Sequence, residues 1–356
     1  MKPIVLLDPF PRTRTRIFNS EQWDRLNELA TIVETGDAPM ADDDVERWLP
    51  QAVAIIGQTT LPRERLERAP KLRAVINVEG NFFQNIDYDA CFARGISVLS
   101  IAPAFATPVA EMCVALALDL ARGVTAGDHA MRDGTEVYGT AGNPNAVLLS
   151  GARVGIIGYG NLGRALRRML AGFRAQVSVY DPWLPASVLR EEDTSPISLD
   201  DLLANSQFII VLAGVTSENQ GLLDRAKLEL IRRESIIVLA SRAAVVDFEA
   251  FIELANAGRF RAATDVFPSE PVAPDHHVRQ SKLLLSSHRA GGMPATSLAI
   301  GEMVIDDLGL ILQGLPPVRL QAARRETVSR MRSPPAQNMP SLASSSLNQK
   351  NDHAKR

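Results

Sequence analysis

Three side chains able to do chemistry stand just past the ends of short apolar runs. They are Arg242 in Ala240-Ser241-Arg242, Glu270 in Asp265-Val266-Phe267-Pro268-Ser269-Glu270-Pro271, and His288 in Ser286-Ser287-His288-Arg289-Ala290-Gly291. A histidine titrates near neutrality and suits proton transfer. A carboxylate on its second ring nitrogen fixes the ring and favours the imidazolium. An arginine offers a planar fork that matches a carboxylate. Taken singly, each is an ordinary solvated charge or turn residue, and His276 and His277 read as loop histidines. Their succession at three strand ends, the rim where open α/β sheets bind ligands, points to a site.

A second constellation lies upstream. Val154-Gly155-Ile156-Ile157-Gly158-Tyr159-Gly160-Asn161-Leu162-Gly163 reads as strand, tight turn and helix start. Gly158 permits the turn, Gly160 lets the backbone approach a pyrophosphate, and Gly163 lets helix and strand pack closely. The free N–H groups near Asn161 and Leu162 then face the phosphates, aided by the helix dipole. Asp181 ends the next strand, 181 − 163 = 18 residues past the last glycine. A carboxylate there accepts from the ribose hydroxyls and repels a 2′-phosphate, so NAD is expected over NADP.

The elements that must hold these residues read as an α/β chain. Ile4–Leu7, Ala52–Ile56, Ala74–Val78 and Ser97–Leu99 are expected as buried parallel strands, with helices such as Ser20–Ala30 and Pro62–Arg68 between them. A long helix follows over Thr107–Arg122, with Pro108 in its first turn, and then a loop from Gly123 to Ser150. A second series of about six strands begins at Arg153–Ile157 and ends at Leu283–Ser286. At 356 residues, two domains are the prior expectation. Net charge of −3 suggests neither a nucleic-acid nor an acidic-membrane partner. Cys91 and Cys113 show no metal spacing and read as buried free thiols of a reducing, cytoplasmic setting; no metal is expected. No apolar run appears long enough to span a bilayer, the best candidate being broken by Glu111 and Asp119.

With these motifs in order, GxGxxG, SR-x-x-x-VD, DVF-x-x-EP and H-x-AG, the chain over about residues 50–312 resembles the D-isomer-specific 2-hydroxyacid dehydrogenase family, including its phosphoglycerate dehydrogenase-like and glyoxylate/hydroxypyruvate reductase-like members. The resemblance implies two doubly wound parallel-sheet domains, a flavodoxin-like substrate domain and a Rossmann NAD-binding domain, with the active site in the cleft between them. The expected boundaries are 1–103 plus 294–323 for the substrate domain and 104–293 for the NAD-binding domain; residues 324–356, rich in Ser, Asn, Pro and basic residues, are expected to be a disordered tail. The implied reaction moves a hydride between NAD(H) and C2 of a small D-2-hydroxy or 2-oxo acid. In it His288 is the acid–base, Glu270 its partner, and Arg242 the group that binds and polarises the substrate. Asp265 would receive the nicotinamide carboxamide, with Thr216 and Ala240 also beside the cofactor. Gly80 and Asn81, in Asn77-Val78-Glu79-Gly80-Asn81, match the turn whose N–H groups hold the substrate carboxylate. Asn85-Ile86-Asp87 and Pro108-Val109-Ala110-Glu111 match further family elements, and a homodimer built through the cofactor domain is implied. The alternative on the same fold is an NAD(H)-sensing, corepressor-like binding protein. Formate-oxidising members carry glutamine in place of Glu270, which argues against that donor.

The chain departs from the family pattern near the nicotinamide site. Ser287 precedes the histidine where proline is common, Ala243 replaces a glycine, Phe105 an asparagine, and Leu212-Ala213-Gly214 a His-x-Pro. Gln58 stands where phosphoglycerate-specific members carry arginine, which predicts weak binding of 3-phosphoglycerate. Phe82 and Phe83 are expected either in the core or shaping an apolar pocket.

Overall fold

The computed structural model describes residues 2–332. Two parallel sheets carry the chain. The first comprises β1 (Ile4–Asp8), β2 (Thr31–Glu34), β3 (Ala52–Gly57), β4 (Ala74–Asn77) and β5 (Ser97–Ser100). The second comprises β6 (Arg153–Ile157), β7 (Gln176–Tyr180), β8 (Ser195–Pro196), β9 (Phe208–Val211), β10 (Ile236–Leu239), β11 (Arg261–Thr264) and β12 (Leu284–Leu285). A last short strand, β13 (Gln321–Ala322), returns to the first sheet antiparallel to β5.

The first sheet runs β13-β5-β4-β3-β1-β2 and the second β12-β11-β10-β9-β6-β7-β8. Its five parallel strands give the first sheet the flavodoxin-like order, and the second sheet has the dinucleotide-binding order extended by one strand. Burial explains the choice of strand over helix. Ile236 and Val238 enter one core and Ile237 and Leu239 the opposite one, so an unbroken apolar run is buried on both faces. The first sheet does the same, with Val5 and Leu7 on one side and Leu6 on the other.

Two long helices tie the units to the site. The helix Ala106–Arg122 packs in the core of the second unit through Val109, Ala110, Cys113, Leu116, Ala117 and Ala121, and ends at Gly123, whose φ of 64° is left-handed. Its residues, with the short turn before it, form the one helix among the described residues long and apolar enough to cross a membrane. The helix Pro294–Leu312 returns to the first unit, where Ile300, Val304 and Leu308 join its core. Gly301 there allows close approach: a Cβ would crowd Gln22 Oε1 and lie 2.7 Å from the Ile17 carbonyl oxygen. Gln22 in turn donates to the Leu298 carbonyl.

Two segments differ from the sequence reading. Val124–Asp133, within the expected loop, is a helix that buries no residue against the rest of the chain, and its Gly127, Asp128 and Asp133 are the residue types that suggested a loop. The expected tail from 324 begins as packed chain. Arg325–Val328 is a helical turn and Val328, 3% exposed, sits in the first unit's core. Met331 then pairs with Thr216 of the second unit, Ser217 N–H donates to the Arg330 carbonyl at 2.8 Å, and Arg332 N–H to that of Val215 at 3.1 Å. One buried apolar residue, a few backbone partners and the arginines Arg325 over Phe92 and Arg330 beside Glu218 anchor this stretch, contacts that composition does not reveal. The remainder of the expected tail, 333–356, lies outside the described residues.

Candidate active site

A cleft of about 1960 Å³ lies at the strand ends and is lined by residues of both units. That volume exceeds the roughly 300–1,000 Å³ of a pocket for one small ligand and suits a dinucleotide with a small acid beside it.

The glycine turn follows β6. Gly158 has φ of 90°, and a Cβ on it would lie 2.5 Å from Ala213 Cα. A Cβ on Gly163 would meet the Gly158 carbonyl oxygen at 2.7 Å. A Cβ on Gly160, by contrast, would meet nothing within 4 Å; it borders open cleft. The helix Asn161–Leu170 starts there with no side-chain cap, so its first N–H groups remain available to phosphate oxygens. Ser241 Oγ, also on the cleft, is buried with no protein partner. The turn, the uncapped helix and this orphan hydroxyl together fit a bound dinucleotide.

Asp181 follows β7 and lines the cleft. Its Oδ2 accepts from Tyr159 N–H at 2.7 Å and its Oδ1 from Trp183 N–H at 2.9 Å. The carboxylate therefore braces the glycine turn, and each oxygen keeps a lone pair. Asn161 and Leu162 line the cleft as well, and the Asn161 amide donates to Gln321 Oε1 of the first unit at 2.6 Å. Thr216 and Ala240 are buried along the same wall. Asp265 is almost wholly buried, and most of its acceptor capacity is taken: Oδ1 binds Ser286 Oγ and Arg289 N–H, and Oδ2 binds Ala290 N–H. Its evident work is to hold the loop that carries His288.

That loop is strained where it matters. His288 has φ of 50°, in the left-handed region that few side chains adopt without cost. Its Nδ1 meets Glu270 Oε2 at 2.5 Å, and Glu270 Oε1 accepts from Phe267 N–H at 2.8 Å. Burial pushes the Glu270 carboxyl up, but the hydrogen bond and charge of His288, the Phe267 N–H and the Arg242 charge outweigh it and hold the group below its ordinary range. The second ring nitrogen of His288 is left for the cleft.

Arg242 follows β10, partly buried. Burial lowers its pKa, while the charges of Glu270 and Glu79 push it back up. It donates to the Ser241 carbonyl at 2.7 Å. With the Asn81 amide oriented oxygen-inward, Asn81 accepts from Arg242 Nη2 at 2.6 Å. Arg242, Gly80 and Asn81 thus meet across the cleft. Behind them, buried Asn77 donates to the Asn81 carbonyl and accepts from Glu79 N–H and Gln58 Nε2. Gln58 therefore supports the loop from behind and does not line the cleft.

Phe82 and Phe83 are buried, and Phe82 stacks edge-on with Tyr88 in the core while touching the cleft. Phe105 is the more consequential aromatic. It separates Gly80 from Gly291, and a Cβ on either would contact its ring. Arg12 and Glu79 line the same wall and were not singled out by sequence. The signal was present as a charged residue inside a glycine-bearing turn, but its partner lies 67 positions away. Cys91 and Cys113 are buried free thiols; burial pushes Cys91 up to about 11 and raises Cys113 as well. His276 and His277 stack on each other at the surface, His277 bonded to Glu249.

Comparison with known proteins agrees with this geometry. Residues 114–290 match the model for the D-isomer specific 2-hydroxyacid dehydrogenase, NAD binding domain. A solved structure described as a phosphoglycerate oxidoreductase from Rhizobium etli is 42% identical, with a TM-score of 0.84, covering 92% of this chain and 100% of that one. The D-3-phosphoglycerate dehydrogenase of Mycobacterium tuberculosis (strain ATCC 25618 / H37Rv) is 31% identical over 278 residues, 75% of this chain and 50% of that protein. The glyoxylate reductase of Pyrococcus horikoshii is 29% identical over 263 residues, 72% of this chain and 78% of that protein. The chain spans about half the length of the phosphoglycerate dehydrogenases it matches. This chain belongs to the D-isomer-specific 2-hydroxyacid dehydrogenase family. Its second unit is that family's NAD-binding domain.

Proposed function

We propose that the protein is an NAD-dependent oxidoreductase acting between C2 of a small D-2-hydroxy acid and the corresponding 2-oxo acid. The observation that carries this reading is the His288–Glu270 pair at 2.5 Å, set in one cleft with Arg242 and the glycine turn. Bound NADH supplies the hydride that reaches C2. Arg242 and the N–H groups of Gly80 and Asn81 bind the substrate carboxylate, and the guanidinium polarises the C2 carbonyl. His288 gives its proton to the oxygen as C2 is reduced and takes it back in oxidation. Glu270 holds the imidazole in the needed orientation and stabilises its charge. Gly158, Gly160 and Gly163 with the N–H groups of Asn161 and Leu162 carry the pyrophosphate, Asp181 the ribose, and Thr216, Ala240 and Asp265 the nicotinamide half.

Residues 1–103 and 294–323 then act as the substrate domain and 104–293 as the cofactor domain, a division supported by the two sheets and by the returning helix. A homodimer through the cofactor domain is supported by the exposed apolar side chains Val124, Met131, Val137, Tyr138 and Leu148 on its projecting segment. The free buried thiols suit a cytoplasmic setting. The test is NADH oxidation with a panel of glyoxylate, hydroxypyruvate, pyruvate and phenylpyruvate. Turnover that is lost in His288→Ala supports the reading; NADH binding without turnover of any of them would favour an NAD(H)-sensing protein instead.

A further inference from the structure

The segment after β13 is rooted in the first unit, yet it ends against the second. Val328 is fixed in the first unit's core, and Gln84 of that unit donates to the Met331 carbonyl at 3.4 Å. Met331 is also the rung partner of Thr216, with backbone hydrogen bonds to the second unit on either side of it. Its side chain lines the cleft. The side chain before it, Arg330, reaches two other residues. Arg330 Nη1 lies 3.3 Å from Glu218 Oε1, and the guanidinium stands over the Trp183 ring, 5.9 Å from its centroid. Trp183 and Glu218 both line the cleft. An exposed ion pair alone holds little, but this cation is also stacked on an indole and anchored through its own backbone.

The strand order of the second sheet locates these contacts. β6 lies between β9 and β7, so the glycine turn after β6 sits between two loops. One carries Thr216 and Glu218, the other Asp181 and Trp183. Arg330 joins those two flanking loops. Trp183 stands two residues past Asp181 and donates its N–H to that carboxylate at 2.9 Å. A ribose held by Asp181 puts the adenosine half of a dinucleotide at this end of the cleft. His288 follows β12, at the opposite edge of the sheet. A purine offers a π-face and an apolar edge, surfaces that an indole and a thioether suit.

We propose that Arg330 and Met331 form a clasp at the adenosine end of the cofactor cleft, so that a segment rooted in the first unit helps the NAD-binding domain retain its dinucleotide. Met331 supplies apolar wall. Arg330 is a positioning residue that holds Trp183 and the Glu218 loop together. The clasp rests on the cofactor placement given above, with the ribose at Asp181, and is independent of which acid is reduced.

The experiment uses the full chain and reads binding rather than turnover. Calorimetry gives Kd for NADH and for ADP-ribose, which lacks the nicotinamide, and stopped-flow fluorescence gives the NADH dissociation rate. Arg330→Ala should weaken both ligands by the same factor, roughly fivefold, mainly through faster dissociation. Met331→Ala should act in the same direction. Glu218→Gln, which leaves the cation over Trp183, should cost less than Arg330→Ala. Val328 is intact in all three variants, so the melting temperature of the cofactor-free protein should stay near that of wild type. An ADP-ribose Kd and an NADH dissociation rate unmoved in both Arg330→Ala and Met331→Ala overturn the clasp. A loss of affinity that merely follows a fall in melting temperature overturns it too, as does wild type that binds NADH but not ADP-ribose. Asp181→Ala separates the two readings. If it leaves ADP-ribose binding unmoved while Arg330→Ala weakens it, the ribose placement has failed and the clasp stands; the reverse pattern sinks the clasp alone.

Discussion

Gly291 exists in a form that only Phe105 explains: a Cβ at position 291 would lie 2.7 Å from Cδ1 of that ring. The same ring stands 3.3 Å from where a Cβ on Gly80 would be. One side chain thus spaces the loop beyond His288 from the loop expected to hold substrate. Gly291→Ala should therefore push the two apart, at a cost of roughly 1–3 kcal/mol in stability, with a loss of kcat/KM. Adding Phe105→Leu should recover part of both losses. The measure is a double-mutant cycle on melting temperature and kcat/KM, and strict additivity would show that the ring is not the obstacle.

Glu270 sets an acid limit. Its pKa in the fold lies below the ordinary 4.5, so its contribution is present above the unfolded value and is lost as pH falls through the lower folded one. Oxo-acid reduction should persist below the usual glutamate range before this group protonates. In Glu270→Gln that limb should vanish and kcat near neutrality should fall. His288→Ala should cost about 10² to 10⁴ in kcat while NADH binding is retained. Pre-steady-state and steady-state pH profiles read both; an unaltered acid limb in Glu270→Gln would separate the carboxylate from the reaction.

Arg242→Lys keeps a charge but loses the two-point fork. Both KM for the oxo acid and kcat should worsen, since the same group binds and polarises. Near-normal kcat/KM would remove Arg242 from the substrate.

Asp181→Ser should narrow the preference for NAD over NADP, because the carboxylate repels a 2′-phosphate. Asp181 also accepts from Tyr159 and Trp183 N–H, so Asp181→Asn is the control that removes the charge and keeps an acceptor. The readout is the ratio of kcat/KM for the two cofactors. A ratio unmoved in both variants would leave Asp181 as a brace for the glycine turn alone.

Deleting residues 325–356 should destabilise the protein by roughly 1.5–3 kcal/mol, the worth of one buried valine, since Val328 sits in the core of the first unit. Truncation after Arg332 is the comparison. Equal melting temperatures for the two truncations would show that the 325–332 stretch contributes nothing.

Much of this was legible because burial on both faces writes long apolar runs into the strands that carry the site. Arg242, Glu270 and His288 follow β10, β11 and β12 as their spacing predicted. The strands that sequence left out are β2, whose Thr31 and Glu34 are exposed at a sheet edge, and the two-residue β8 and β13. These three edge strands bury too little to leave a pattern, whereas the equally short edge strand β12 is legible because it lies in the apolar run Leu283–Leu285. Gln58 shows the limit of reading by position: it stands where sequence placed it, yet its amide turns away from the cleft to Asn77. The Arg12–Glu79 pair was invisible for the complementary reason, since only the fold brings the loop after β1 beside the loop after β4.

The path of the chain carries a mechanical consequence. It passes from the first unit to the second before the helix Ala106–Arg122, returns before the helix Pro294–Leu312, and reaches across again when Met331 pairs with Thr216. Two crossings alone would leave a free hinge axis. The third adds a tie between the units, as does the hydrogen bond from the Asn161 amide to Gln321, and any widening of the cleft must bend or break both. Opening the cleft therefore strains backbone hydrogen bonds near the C-terminal end of the described chain, at a distance from any reacting atom.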